Sequence, residues 1–290
     1  MSQRRPHETQ ATYEDYDSTS ANYDEHRKPL GVGVIVGILA GGGVALERAR
    51  LLDAGCGTGS YLAALAHRFA ELEGLEISRG MLGRARTKLA KHRNVRLHEG
   101  SVLDMPLDAQ RFDAVLFNQV IHHLDDLAGA ATPNLRKALA EAHRVLRDGG
   151  AVVINTCSQE QVFEGAWYTR LIPEAVERLA RRYVPIAKLR ELLEELGFEV
   201  GEEIVPLGER FSGPDYLDPR GPLEKSFRDS DSLWALATPE ELDRGLAELR
   251  AMIERGEAEA FVAQRDREQR AIGQATFLPA WKRGAARGAL

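Results

Sequence analysis

Three groups of residues have types and spacings that can do chemistry. Asp53 stands just before three alternating glycines, Gly55, Gly57 and Gly59, in the stretch LLDAGCGTGSYLAAL. Glu76 closes a second apolar run, LEGLE. His122 and His123 adjoin each other in FDAVLFNQVIHHLDD. A glycine loop between a strand and a helix gathers backbone N–H groups at one point and lets a ligand come close to the chain. Here the glycines read G-x-G-x-G with Ser60 next, which departs from the G-x-G-x-x-G spacing of dinucleotide sites. A carboxylate at Asp53 repels a pyrophosphate and attracts an ammonium or a sulfonium. That favours S-adenosylmethionine (SAM), which carries both cations, over a dinucleotide. Glu76 is placed to accept both hydroxyls of a ribose. NAD sites share this feature, so Glu76 supports an adenosine ligand without choosing between the two. Cys56, inside the loop, reads as a small buried side chain, because no neighbouring base would activate it.

Strand and helix patterns alternate around these residues. RLLDAG is a strand and Ser60–Ala70 a helix; LEGLEI is a strand and Arg79–Lys91 a helix. NVRLHEG, FDAVLFN and GGAVVINT are further strands, with a helix from Pro133 capped by Thr132. This alternation implies an α/β fold with a doubly wound, Rossmann-like parallel sheet. In PIAKLRELLEELG the apolar face is Ile186, Leu189, Leu193 and Leu196, stopped by Gly197. FEVGEEIV and QATFLPAW read as the final strands. Between them, Pro206 to Ile272 is a long insertion; Thr238-Pro239 with Glu241 forms a capping box, followed by the stripe Leu242, Leu246, Leu249 and Ile253, which Gly256 ends. An insertion of this kind is a candidate cover over a site. The expected organisation is an N-terminal helical arm or lid over residues 1–45, a core over 46–205 with cover elements at 160–184, the insertion over 206–272, and the last strand and tail over 273–290.

Composition narrows the partners. A net charge of −6 with no basic block argues against a nucleic-acid surface. The uncharged run from Leu30 to Leu46 is too rich in glycine for a stable membrane anchor; it reads as a helix over Pro29–Leu39 and a turn at Gly41-Gly42-Gly43. Two cysteines without metal spacing, and no secretory signal, point to a reducing cytoplasm. Asp125 and Asp126 have no second cluster of hard ligands, so no metal is expected.

Taken together, LLDAGCGTGSYLAAL, LEGLEISRGMLGRAR, FDAVLFNQVIHHLDD and LRDGGAVVINT resemble the successive motifs of the class I SAM-dependent methyltransferases. The group that includes the ubiquinone/menaquinone-type enzymes is the most similar, over roughly Tyr23 to Thr156. The resemblance implies a seven-stranded sheet whose last strand is antiparallel. It also implies that Asp53, Gly55, Cys56, Gly57 and Gly59 surround the methionine part of SAM. Glu76 would hold the ribose, Ile77 and Met81 would flank the adenine, and Asn118 with Gln119 would meet the methionine amine. Tyr23 and Arg27, in YDEHRKP, resemble a segment that folds over the cofactor, with Arg27 pairing its carboxylate. One departure stands out: Ser101 stands where many relatives have the aspartate that takes the adenine amino group, so Ser101 and the N–H of Val102 are the expected contacts, with Asp104, three residues later, as the alternative.

Methyl transfer is an in-line displacement with a neutral leaving group, so positioning and exclusion of water carry much of the work. His123 and His122 are the candidate general bases, with a positioning role equally open. Trp167, Tyr168, Arg182, Tyr183, Tyr216 and Trp234 are the candidate substrate wall. The expected function is methylation of a small apolar or aromatic metabolite at O, N or C, with S-adenosylhomocysteine (SAH) as the by-product. The alternatives are a SAM-binding protein that catalyses a rearrangement or cyclisation, an NAD-dependent oxidoreductase, and a non-catalytic module. The oligomeric state is open, a homodimer included.

Overall fold

The computed structural model describes residues 28–125, 131–211 and 214–284. Tyr23, Arg27 and Asp126 lie outside the described residues. A seven-stranded sheet has the order β3-β2-β1-β4-β5-β7-β6. Its strands are β1 Arg50–Ala54, β2 Glu71–Glu76, β3 Val95–Glu99, β4 Phe112–Asn118, β5 Leu146–Thr156, β6 Phe198–Val200 and β7 Thr276–Lys282. The first five run parallel, and β7 is antiparallel to both β5 and β6. Order reverses between β1 and β4, where a doubly wound sheet opens a crevice at the carboxyl ends of its strands.

Central strands such as β1 and β4 are buried on both faces, hence their near-continuous apolar runs. On one face pack α1 Val32–Gly41, α2 Ser60–Leu65 and α3 Arg79–Leu89. On the other pack α4 Pro133–Val145 and α7 Ile186–Glu195. The buried stripe of α7 is Leu189, Leu192 and Leu193, with Ile186 and Leu196 at its margins. Two of the six glycines in the Leu30–Leu46 run serve close packing: a Cβ at Gly31 would fall 2.2 Å from the Phe277 ring, and one at Gly42 2.5 Å from the Trp281 indole nitrogen, both on β7. At 10 residues, α1 is far short of a span, and no helix among the described residues is long and apolar enough to cross a membrane.

A third apolar cluster belongs to the cover. It joins α5 Gln159–Glu164 and α6 Pro173–Ala180 to α8 Lys225–Arg228, α9 Ser232–Ala235, α10 Pro239–Glu254 and α11 Ala258–Ile272. The capping box at Thr238 forms as read: its hydroxyl accepts from Glu241 N at 3.3 Å, and its N–H donates to the Glu241 carboxylate at 2.9 Å. The expected Thr132 cap on α4 does not form. Asp125 takes that place, its two oxygens accepting from Asn134 N at 3.2 Å and Leu135 N at 2.8 Å. A carboxylate at a helix N-terminus satisfies two orphan donors where a hydroxyl satisfies one.

Candidate active site

The glycine loop leaves β1 at the switch point and is tied to β2. Gly55 N and Cys56 N both donate to the Leu75 carbonyl, at 2.8 and 3.0 Å. Gly55, Gly57 and Gly59 all take left-handed backbone, φ 82°, 53° and 79°. Their surroundings differ. A Cβ at Gly55 would strike Val120 and one at Gly59 would strike Leu89, but one at Gly57 meets nothing within 4 Å. The outer glycines are packing positions, and Gly57 faces open space. Cys56 is buried under the loop, against the position a Cβ would take at Gly74, and burial pushes its thiol pKa well up. Both facts fit a packing residue rather than a nucleophile.

Two carboxyl groups frame this space. Asp53, 1% exposed, accepts from the Asn118 side-chain amide at 3.0 Å across the β1–β4 boundary. Burial raises its pKa to about 7, against the lowering effect of the Asn118 bond, and the Glu76 charge raises it further. A buried acid in that condition is suited to meet a cation, which restores its ionised form. Glu76 reaches back across the loop, accepting from Gly57 N at 2.9 Å and Ser78 N at 2.8 Å. A carboxylate at the end of the second strand, beside the glycine loop, is the group type that accepts ribose hydroxyls in nucleotide sites. Ile77 is half-buried beside it, and Met81 is buried in the first turn of α3. Ser101 is buried and its hydroxyl accepts from Leu103 N at 3.1 Å, while Val102 points into the core. Ser101 therefore organises its own turn, in addition to any role toward a base.

Beyond Asn118 the chain makes an unusual bend: Gln119 has φ 55°, a left-handed conformation costly for a side-chain-bearing residue. Its side chain joins a hydrogen-bond relay. Tyr61 Oη donates to the Leu30 carbonyl at 2.9 Å, Asn155 Nδ2 donates to Tyr61 Oη at 2.9 Å, and Gln119 Nε2 donates to Asn155 Oδ1 at 3.0 Å. Tyr183 Oη then donates to Gln119 Oε1 at 3.1 Å. The relay ties the first helix layer to the cover through the sheet edge. Tyr183 also stacks on the His122 ring, centroids 4.4 Å apart, and His122 meets His123 at 4.0 Å. The turn Ile121–His123 holds both histidines where β4 ends.

A pocket opens between this edge and the cover. Gln119, His122, His123 and Cys157 line it from the sheet; Tyr168, Leu179, Tyr183, Asp231 and Leu233 line it from the cover. Of the six expected wall residues, Tyr168 and Tyr183 are in the lining. Trp167, Tyr216 and Trp234 lie inside the cover's own core, where Trp167 Nε1 donates to the Tyr216 carbonyl at 2.6 Å. Arg182 is half-buried outside the lining. Among the described residues no group of His, Cys, Asp and Glu is arranged to hold a metal ion.

Comparison with known proteins shows what the surrounding domain resembles. Residues 52–154 match the family model described as a methyltransferase domain. Over these residues the chain is similar to methyltransferase domains, and the match spans about a third of its length. Over 171 residues it is 28% identical to a demethylmenaquinone methyltransferase of Alkalihalophilus pseudofirmus, covering 51% of this chain and 69% of that protein. Over 144 residues it is 35% identical to the demethylmenaquinone methyltransferase of Clavibacter sepedonicus, covering 48% of this chain and 55% of that one. Several other curated relatives are spanned over about half their length. In three dimensions the fold is similar to a protein of Anabaena variabilis described as a methyltransferase from an antibiotic biosynthesis pathway, with TM-score 0.68, 24% identity, and coverage of 87% of this chain and 98% of that one. It is also similar to the geranyl diphosphate C-methyltransferase of Streptomyces coelicolor bound to SAH, with TM-score 0.51, 19% identity, and coverage of 87% and 78%.

Proposed function

We propose that the protein transfers the methyl group of SAM to an O, N or C atom of a small metabolite held in the pocket under the cover. The observation that carries the reading is the adjacency of the two spaces along the chain. Asn118 bonds to Asp53 on the cofactor side, and the next residue, Gln119, lines the pocket. A methyl donor held at the first space faces an acceptor held in the second.

The residues fit such a cofactor. Gly57 leaves its approach open, Asp53 with Asn118 receives the cationic methionine end, and Glu76 receives the ribose. The bound cofactor supplies an activated methyl on a sulfonium. This chain's own residues do the rest. The Gln119–Tyr183 relay fixes the pocket's sheet-side edge. The cover excludes water, and His123 or His122 accepts a proton from the acceptor where its chemistry requires one. Val162, Leu179, Leu233 and Phe211 give the pocket an apolar wall suited to a carbon skeleton.

The test is incubation of the protein with SAM and a panel of small acceptors, with SAH measured by mass spectrometry. Acceptor-dependent SAH formation supports the reading. Tight SAM binding with conversion of a substrate and no SAH would replace it with rearrangement or cyclisation chemistry. Binding of NADH in place of SAM would replace it with hydride transfer.

A further inference from the structure

We infer that Tyr183 is the wall that sets how far an acceptor held beside the two histidines can extend, and that it restricts the site to acceptors that are compact on that side. This rests on the methyltransferase reading in taking the pocket as the acceptor's.

Two spaces meet at this residue. The inner one is the pocket under the cover, against His122, His123 and Cys157. The outer one is an open surface groove lined by the apolar side chains of Phe163, Ala180, Val184 and Pro185, together with Arg181 and Lys188. The same two helices border both, because successive residues of a helix point in different directions. On α5, Val162 lines the pocket and Phe163, 39% exposed, lines the groove. On α6, Leu179 lines the pocket and Ala180 lines the groove. Among the described residues Tyr183 alone lines the two spaces together.

A side chain between two spaces is a wall only if it is held in place, and Tyr183 is held at three points. Its carbonyl accepts from Gln159 Nε2 at 2.7 Å, and the same amide donates to the Ala180 carbonyl at 3.2 Å, which ties the backbone to α5. Its hydroxyl donates to Gln119 Oε1 at 3.1 Å, and Gln119 is itself fixed by Asn155 at 3.0 Å. Its ring stacks on His122, centroids 4.4 Å apart with the planes 15° from parallel. Swinging the ring aside would break a half-buried hydrogen bond and a stacked contact together.

A phenol fixed in this way is a steric limit. An acceptor lying against His122 meets the ring, where a smaller side chain would let it run on into the groove. The close packing of protein interiors makes such a limit sharp, because neighbouring atoms yield little to an oversized group. A phenol is also wider than a methylene chain, so its removal leaves room for one. Replacing Tyr183 by alanine therefore joins pocket and groove, and the apolar groove then receives a hydrocarbon extension that the wild-type site turns away.

Cys157 reports on this wall from inside the pocket. Its Sγ lies 3.8 Å from Gln119 Oε1, the oxygen that receives the Tyr183 hydroxyl. The experiment exposes the full chain to methyl and n-hexyl methanethiosulfonate; the thiolate takes the alkylthio group and methanesulfinate leaves. Labelling rates at Cys157 and Cys56 are read separately by peptide mass spectrometry and normalised to those of glutathione, with and without saturating SAH to fill the glycine-loop side. Wild type, Tyr183→Phe and Tyr183→Ala are compared, each with a thermal melt. The proposal expects the hexyl reagent to label Cys157 at least ten-fold more slowly than the methyl reagent in wild type and Tyr183→Phe, and within about three-fold of it in Tyr183→Ala. Equal rates in the wild type overturn it, as does no labelling of Cys157 in any of the three. So does a ratio that Tyr183→Ala leaves unchanged, or one that Tyr183→Phe raises as far, which would make the hydrogen bond rather than the ring the barrier. A parallel rise at Cys56, buried under the glycine loop, would mean general loosening and overturns it too. If Tyr183→Ala fails to fold, Tyr183→Leu takes its place, and the wild-type ratio decides if neither folds. SAH affinity, read by calorimetry on the same samples, reports on the methyltransferase reading separately: its loss would sink that reading without altering the labelling ratio measured in its absence.

Discussion

The most distinctive consequence of the site is a pH dependence of SAM affinity set by Asp53. In the free protein its carboxyl has a pKa of about 7, raised chiefly by burial and further by Glu76. A cation seated against it favours the ionised form and lowers that value in the complex. Binding then selects the ionised fraction and releases a proton from the remainder. With a free-protein pKa of about 7, the ionised fraction is about 0.09 at pH 6 and about 0.76 at pH 7.5. The apparent affinity for SAM should therefore fall about eight-fold on going from pH 7.5 to pH 6, roughly 1.2 kcal/mol. The upper limit of pH 7.5 keeps most of the ligand's own amine protonated, since that group titrates near 7.7–8.0, roughly. The assay is isothermal titration calorimetry in two buffers of different ionisation enthalpy, which gives the affinity and the proton count together. At pH 6.5 the protein should release about three quarters of a proton per SAM bound. Flat affinity across this range, or proton uptake on binding, would refute the assignment of Asp53 to the cationic end of the cofactor.

Folding responds to the same group with the opposite sign. The folded pKa lies above the ordinary aspartate value of 3.8, so between these values the folded chain binds more protons than the unfolded one. Stability of the free protein should fall as pH rises from about 4 to 7, by up to about 4 kcal/mol. Asp53→Asn should accordingly raise the melting temperature at pH 8 while abolishing SAM binding, checked by paired thermal melts and calorimetry. Gly57→Ala should keep the melting temperature within a few degrees yet lose SAM affinity, because its Cβ would enter open space at the cofactor's approach; Gly59→Ala, whose Cβ would strike Leu89 at 2.6 Å, should lower stability instead. Tyr183→Phe removes the donor to Gln119 Oε1 and should raise KM for the acceptor several-fold with little change in SAM affinity, measured by steady-state SAH release. His123→Ala should lower kcat at least ten-fold with SAM affinity unchanged if the histidine takes a proton, and a kcat within two-fold of wild type would leave it a positioning residue.

The sheet was legible because its strands are buried on both faces and written as apolar runs, each ending in a turn former. The gathering of Asp53, the glycine loop and Glu76 at one sheet edge was legible for a related reason: they stand at successive strand ends of the alternating pattern. The cover was harder to read. Its helix α11 buries Ala258 and Val262 but also Asp266 and Gln269, so half of that face is polar and hides its periodicity. Aromatic content misled the choice of wall, since Trp167, Tyr216 and Trp234 build the cover's interior while Asp231, Gln274 and Ser230 reach the pocket. A short polar side chain in a loop carries no pattern in one sequence; only the packing of the cover brings it to the site. Asn155 is different. A lone amide at the end of the apolar run GGAVVINT was a visible signal, and its bonds to Tyr61 and Gln119 place it in the middle of the relay.

The most direct test of the account is calorimetric titration of the purified protein with SAM, SAH and NADH in parallel. The account predicts saturable binding of SAM and SAH and none of NADH. Binding of NADH alone, or of none of the three, would contradict it and leave the glycine loop with the fold but without the cofactor assigned to it.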